Sequence, residues 1–238
     1  MAADLTVIVT ARNEADRLEA TLRALPDGEV WVADDASEDA TAAVAAQAGA
    51  RVVTAPERLG KGGAATLAAE ALLREANPTV LLADADLGES AAQLQALVDA
   101  VSDTGPGPDA SAGARRGPDA EIVADLAIAT FAARVGGGFG IAVGTARWAI
   151  NKTTGRTMTA PISGQRAMRP GVLPQLLPFA TGFGMETGMT IDALRKGLRV
   201  IEVELELEHR ATGKTFQGFI HRGRQARDIA RAYASRRS

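Results

Sequence analysis

The chain has no cysteine, which excludes disulfides, thiolate nucleophiles and cysteine-bound metals and fits a reducing compartment. Aromatic residues make up only 4 %, too few for the interleaved stacking platform that single-stranded nucleic acids need. Neither sign of charge dominates. With 26 basic and 29 acidic residues the formal net charge is −3, so no global field draws in nucleic acid and none is expected as a partner. Long apolar runs are also missing: none approaches the roughly 18–20 residues that span a bilayer, and Asp4, Arg12, Asn13 and Glu14 spoil the start as a secretion signal. A soluble, cytoplasmic protein is expected. What the chain holds in quantity is glycine, 25 of 238 residues, together with alanine, which suits helices packed closely on a sheet. At about 100–200 residues per domain, the length allows one large domain or two small ones.

Apolar runs alternate with helical spacings along the first hundred residues. Leu5–Thr10 reads as a strand, followed by the polar stretch Ala11–Glu14 and then Leu18, Leu22 and Leu25 at helical intervals. Val30–Ala33 reads as a second strand ending at Asp34 and Asp35, with Ser37 placed to cap a helix that stops at Gly49. Arg51–Thr54 makes a third strand, Ala64–Glu75 a helix, Thr79–Ala83 a fourth strand and Ala91–Val101 a further helix. Strands apolar on both faces, alternating with helices, predict a parallel sheet covered on both sides, with ligands at the carboxyl ends of the strands. Residues 102–121 are rich in Gly, Pro, Ala and Asp and read as a flexible loop, after which Ile122–Thr130 resumes the sheet. The glycine-rich Arg134–Gly144 reads as a mobile loop, Trp148 as an anchor for a helix, Val200–Leu207 as an alternating strand and Phe219–Tyr233 as helical. A single α/β domain over 1–238 is expected, with 1–101 as a nucleotide-binding half and 122–238 as an acceptor half ending in a basic helix.

Three clusters carry chemistry. Asp84-Ala85-Asp86 ends an apolar strand, and its two carboxylates suit a hard divalent ion, Mg²⁺ or Mn²⁺, that would neutralise a diphosphate leaving group. A solvated turn is the bland alternative. Asp34-Asp35 ends another strand, where one carboxylate accepts from a base or ribose while the other faces solvent or caps the next helix. Leu59-Gly60-Lys61-Gly62-Gly63-Ala64 puts a lysine among glycines at a helix start, which favours an anionic or carbonyl-bearing ligand. The spacing of a P-loop is absent.

These residues resemble the family-2 glycosyltransferases with the GT-A fold. The likeness runs through Val9-Thr10-Ala11-Arg12-Asn13-Glu14, Ala33–Thr41, Leu59–Ala64 and Ala83-Asp84-Ala85-Asp86-Leu87. In the second half, Ser163-Gly164-Gln165-Arg166-Ala167, Gly182-Phe183-Gly184-Met185-Glu186 and Glu208-His209-Arg210 are similar to elements of prenyl-phosphate glycosyltransferases and glucosyl-3-phosphoglycerate synthases. The resemblance implies a GT-A-type, Rossmann-like, mostly parallel sheet flanked by helices and a transferase using a UDP- or GDP-linked sugar. By the family pattern, Ala11, Glu14, Asp35 and Lys61 line the nucleotide base, Asp84 approaches the ribose, and Asp86 with His209 holds Mn²⁺ or Mg²⁺. Ser163, Gly164, Gln165 and Arg166 meet the acceptor, Arg166 pairing with an acceptor phosphate. Glu186 is either the general base for an alcohol acceptor or a carboxylate that orients the sugar; a helix-start carboxylate is its structural alternative.

The departures bear on the acceptor. Thr10 and Ala36 stand where the family commonly has proline and glycine, and Leu207 stands where phosphoglycerate-directed enzymes have arginine. The acceptor therefore stays open between a polyprenyl phosphate and a small phosphorylated acid, and donor base, stereochemistry and oligomeric state stay open with it. The basic end, Arg210, Lys214, Arg222, Arg224, Arg227, Arg231, Arg236 and Arg237, is either a solvated helix face or an attraction to a phosphorylated acceptor or an anionic membrane surface. The rivals are a sugar-phosphate nucleotidyltransferase, which would carry a glycine-rich loop after the first strand, and a non-catalytic nucleotide-sugar-binding protein.

Overall fold

A computed structural model describes residues 5–102, 123–131, 140–207 and 227–236. The first half runs β1 (Leu5–Ala11), α1 (Leu18–Ala24), β2 (Glu29–Asp34), α2 (Thr41–Gln47), β3 (Arg51–Thr54), α3 (Lys61–Leu73) and β4 (Thr79–Asp84). A 3₁₀ turn at Gly88–Leu94 leads into α4 (Gln95–Val101). The second half holds β5 (Leu126–Phe131), α5 (Gly140–Thr154), β6 (Arg166–Met168), α6 (Leu173–Leu176), α7 (Met185–Arg195) and β7 (Val200–Leu205). A last helix, α8, covers 227–234.

The strands form one seven-stranded sheet in the order β3-β2-β1-β4-β6-β5-β7. All neighbours are parallel except β6, which runs antiparallel between β4 and β5. That reversal positions the site: the residues entering β6 lie beside the carboxyl end of β4. Side-chain alternation divides the core in two. Val7, Val9, Leu81 and Ala83 face the layer holding Leu18 and Leu97, whereas Ile8, Val80 and Leu82 face the layer holding α3 and α7. Alanines at 64, 65, 68 and 69 bury the inner face of α3 and let it lie close to the sheet.

Several boundaries differ from the sequence reading. The α3 helix begins at Lys61 because Gly60 turns in with φ +76°, and a Cβ on Gly62 would land on the Ala180 carbonyl oxygen. Helix α5 already starts at Gly140, so the expected loop does not extend through Gly144; residues 134–139 lie outside the described residues. Trp148, expected to anchor a helix, is 55 % exposed, and its ring lies 4.9 Å from that of Tyr233 on α8. Ser37 does not cap α2. It bonds Asp34, while the Asp39 carboxylate takes the Thr41 N–H at 2.9 Å.

Candidate active site

The loops after β1 and β2 are laced together before any ligand is considered. Arg12 donates from Nη1 to the carbonyls of Asp35 at 2.6 Å and Ala36 at 2.8 Å. Asn13 accepts the Glu38 N–H at 2.8 Å, and the Glu14 N–H reaches Thr41 Oγ1 at 2.9 Å. Asn13 and Ala36 both hold positive φ, +54° and +53°, a conformation that asparagine tolerates and that costs alanine about 1–2 kcal/mol. The loops keep it because these bonds over-determine them. Ala11 ends β1 beneath them, and its carbonyl accepts the Asp35 N–H at 3.0 Å.

The aspartate pair after β2 departs from expectation, since both side chains are buried and neither faces solvent. Asp34 takes Ser37. Asp35 Oδ1 accepts the main-chain N–H groups of Leu59 at 2.7 Å and Gly60 at 2.9 Å. A charged acceptor on two amides is a strong anchor, so Asp35 organises the glycine-bearing loop that launches Lys61.

Lys61 is the hub. Its Nζ lies 2.6 Å from Asp84 Oδ1 and 2.9 Å from Glu186 Oε1, bridging the end of β4 to the first turn of α7. Burial disfavours the ammonium, but the two carboxylates outweigh that cost and raise the Lys61 pKa above its ordinary value. Asp84 is further held by Thr10 Oγ1 at 3.2 Å and by Gln165 Nε2 at 2.8 Å. A Cβ on Gly164 would strike Lys61 Nζ and the Asp84 carboxylate. A side chain there would have to displace the bridge.

The Ser163–Arg166 group, expected to meet the acceptor, lies in the wall behind this bridge. All four residues are buried. Ser163 Oγ donates to Gln165 Oε1 at 3.2 Å, and Gln165 in turn holds Asp84. Arg166 is fully buried: Nε donates to the Ser163 carbonyl at 2.8 Å and Nη1 to Thr190 Oγ1 at 2.9 Å, while Nη2 has no hydrogen-bond partner among the described residues. Burial lowers its pKa to about 10, partly opposed by Glu186 and Glu202. The group forms a wall around Asp84, with Gly164 as the member bordering the Lys61 bridge.

Glu186 is buried on the first turn of α7, one oxygen on Lys61. The Asp86 carboxylate is partly exposed and has no hydrogen-bond or ion-pair partner among the described residues. An oxygen donor left open in this way fits a hard divalent ion. His209, its expected companion, lies outside the described residues, and among these there is no group of three or more metal-ligating side chains. Sequence reasoning missed Thr10 and Arg12, whose partners are brought near only by β1–β4 and β1–β2 pairing.

The glycosyl transferase family 2 profile matches residues 6–132. Uncharacterised glycosyltransferases of Mycobacterium tuberculosis and Mycobacterium bovis are 32 % identical over 217 residues, covering 90 % of this chain and 90 % of theirs. Glucosyl-3-phosphoglycerate synthase of M. tuberculosis, solved with Mn²⁺, uridine diphosphate and phosphoglyceric acid, superimposes with a TM-score of 0.75 at 23 % identity. That match covers 100 % of this chain and 79 % of the synthase. Another structure of the same synthase gives a TM-score of 0.72 at 25 % identity, covering 99 % of this chain and 81 % of that one. The shared architecture is the GT-A fold.

Proposed function

This chain belongs to glycosyl transferase family 2, and from that premise we propose that it transfers a sugar from a nucleotide-linked donor to an acceptor oxygen next to Glu186. The observation that carries this reading is the Lys61 bridge, a cation between a donor-side carboxylate and an acceptor-side one. Ala11, Glu14 and the Asp35-anchored loop receive the base, Lys61 lies beside them, and Asp84 receives the ribose. Because the similar synthase was solved with uridine diphosphate and Mn²⁺ or Mg²⁺, UDP-linked sugars are the first donors to try.

Asp86 and His209 would hold the divalent ion, which when bound would neutralise the diphosphate leaving group. In the reaction the acceptor oxygen bonds to the anomeric carbon as the carbon–oxygen bond to the diphosphate breaks. Glu186 takes the proton of an alcohol acceptor; a phosphate acceptor needs no such base. Lys61 holds the Glu186 carboxylate in place at 2.9 Å, which suits either a base or an orienting carboxylate. For the acceptor, a small phosphorylated acid is the first class, since the synthase was solved with phosphoglyceric acid. Polyprenyl phosphate is the second. Leu207 packs against the core where phosphoglycerate-directed enzymes carry arginine, so contacts to a phosphate must differ from theirs.

The test is a panel of sugar nucleotides with Mn²⁺, following release of UDP or GDP with and without 3-phosphoglycerate. Release of nucleoside diphosphate that depends on acceptor supports the reading. Pyrophosphate release from UTP and a sugar phosphate would instead establish the nucleotidyltransferase, and binding without turnover of any donor would establish a binding protein.

A further inference from the structure

Helix α8 lies against α7 along two matched stripes. On α7 and its entry the stripe is Gly184, Gly188 and Asp192; on α8 and its end it is Asp228, Ala232 and Arg236, each set recurring every four residues on one helix face. A Cβ on Gly184 would come within 2.8 Å of the Asp228 carbonyl oxygen and 2.9 Å of Ala232 Cβ, and one on Gly188 within 3.0 Å of Arg236 Cζ. A Cβ on Gly182 would strike the Asp228 carboxylate. These glycines form a flat seat that lets the last helix approach to backbone contact. Arg236 closes the far end with a forked bond to Asp192, Nε at 2.8 Å from both oxygens and Nη2 at 2.6 Å from Oδ2. Ile229 packs with Ala142 and Ala146 of α5, and Tyr233 meets Trp148.

The seat borders the bridge. Glu186 lies between Gly184 and Gly188, while on the other side Gly182 backs onto Gly60, 3.3 Å from a Cβ built there, and Ala180 onto Gly62. Segment 180–182 is thus held between the loop that carries Lys61 and the last helix. We propose that α8 is a positioning element of the catalytic site, its Asp228–Ala232–Arg236 stripe fixing the first turn of α7 so that Glu186 stays in register with Lys61 and Asp84. The proposal rests on Glu186 acting at the acceptor. It gives the glycines of Gly182–Gly188 a purpose apart from ligand contact. A misplacement of about 1 Å at a reacting group can cost on the order of a hundredfold in rate, so a loosened seat acts on turnover before it acts on folding.

The first two variants alter only the last helix and its end in the full chain: Arg236→Gln removes the fork, and Ala232→Glu wedges the seat open. Hydrogen exchange of amides 185–190 should speed up in both variants, with UDP-glucose, 3-phosphoglycerate and Mn²⁺ as the turnover probe. The kcat should fall about tenfold while KM for UDP-glucose moves less than about twofold. The exchanged pair Asp192→Arg with Arg236→Asp should recover most of both losses. Unchanged exchange at 185–190, or faster exchange with parental kcat, would overturn the proposal. If the parent chain does not turn over UDP-glucose, the glycosyltransfer reading fails in this assay while exchange and charge-pair rescue still decide whether α8 holds the turn. Glu186→Gln in the same assay separates the remaining case: parental kcat there would remove the role of Glu186 and leave the seat a packing contact.

Discussion

Lys61 holds two carboxylates that would otherwise repel each other across the site, and the sign of its shift makes a pH prediction. Its pKa is raised in the folded chain, so its contribution to stability is complete below the ordinary lysine value and is lost only as pH climbs through the raised one. The difference in urea midpoint between the parent and Lys61→Met should therefore be the same at about pH 6 and about pH 9. A difference that shrinks across that range would mean the ammonium is not held by the bridge. Gly164 gives a sharper test of geometry. Gly164→Ala puts a methyl onto the Lys61–Asp84 contact, and turnover should drop at least about tenfold with the far-ultraviolet spectrum unchanged. Glu186→Gln keeps the shape but cannot take a proton, so kcat should fall strongly with an alcohol acceptor and modestly with a phosphate one, at unchanged donor binding. Kinetics with each acceptor class separates these outcomes.

At the scale of elements, the loops after β1 and β2 hold a strained residue that the family pattern replaces by glycine. Ala36 sits at φ +53°. Relief of roughly 1–2 kcal/mol of left-handed strain, less roughly 0.5–1 kcal/mol of added chain entropy, predicts that Ala36→Gly stabilises the fold by about 0.5 kcal/mol. Chemical denaturation measures it; a loss of stability would show that the methyl contributes packing that the strain conceals. The alternation of β1 to β4 with helices was legible in the sequence because parallel strands buried on both faces are continuous apolar runs, and Val7, Ile8 and Val9 are all fully buried. The start of α3 was not legible. Its first turn holds Gly62 and Gly63, poor helix formers whose presence answers to Ala180 and Leu59 across space. Arg166 shows the same limit at the site: an arginine in a motif reads as a ligand, and only the antiparallel insertion of β6 between β4 and β5 reveals that it is buried. Asp84, Lys61 and Glu186 were identified from the sequence, but their convergence on one cation follows from packing α3 against α7.

Taken whole, the molecule presents one face that the catalytic reading does not use. Among the described residues, Trp148 is the large hydrophobic side chain left exposed, beside Tyr233, and Arg227 and Arg231 are exposed on the same last helix. No described helix is long and apolar enough to cross a membrane. An exposed tryptophan and exposed arginines on the helix beside it are features that an anionic bilayer surface attracts, and the chain should sediment with phosphatidylserine vesicles at low salt and with phosphatidylcholine vesicles weakly. Trp148→Ser should reduce the first without affecting UDP binding. Equal sedimentation with both lipids would assign this face to solvent.

The nucleotide end of the sheet carries the central claim, because a glycosyl transferase that works through Asp84 and Asp86 must bind its nucleoside diphosphate through a divalent ion against two carboxylates. Calorimetric titration of UDP into the parent chain and into Asp86→Ala, each with and without Mn²⁺, measures this directly. Affinity in the parent should rise at least about tenfold with Mn²⁺, and that gain should vanish in Asp86→Ala. Equal UDP affinity with and without the metal in the parent, or an undiminished gain in Asp86→Ala, would contradict the account.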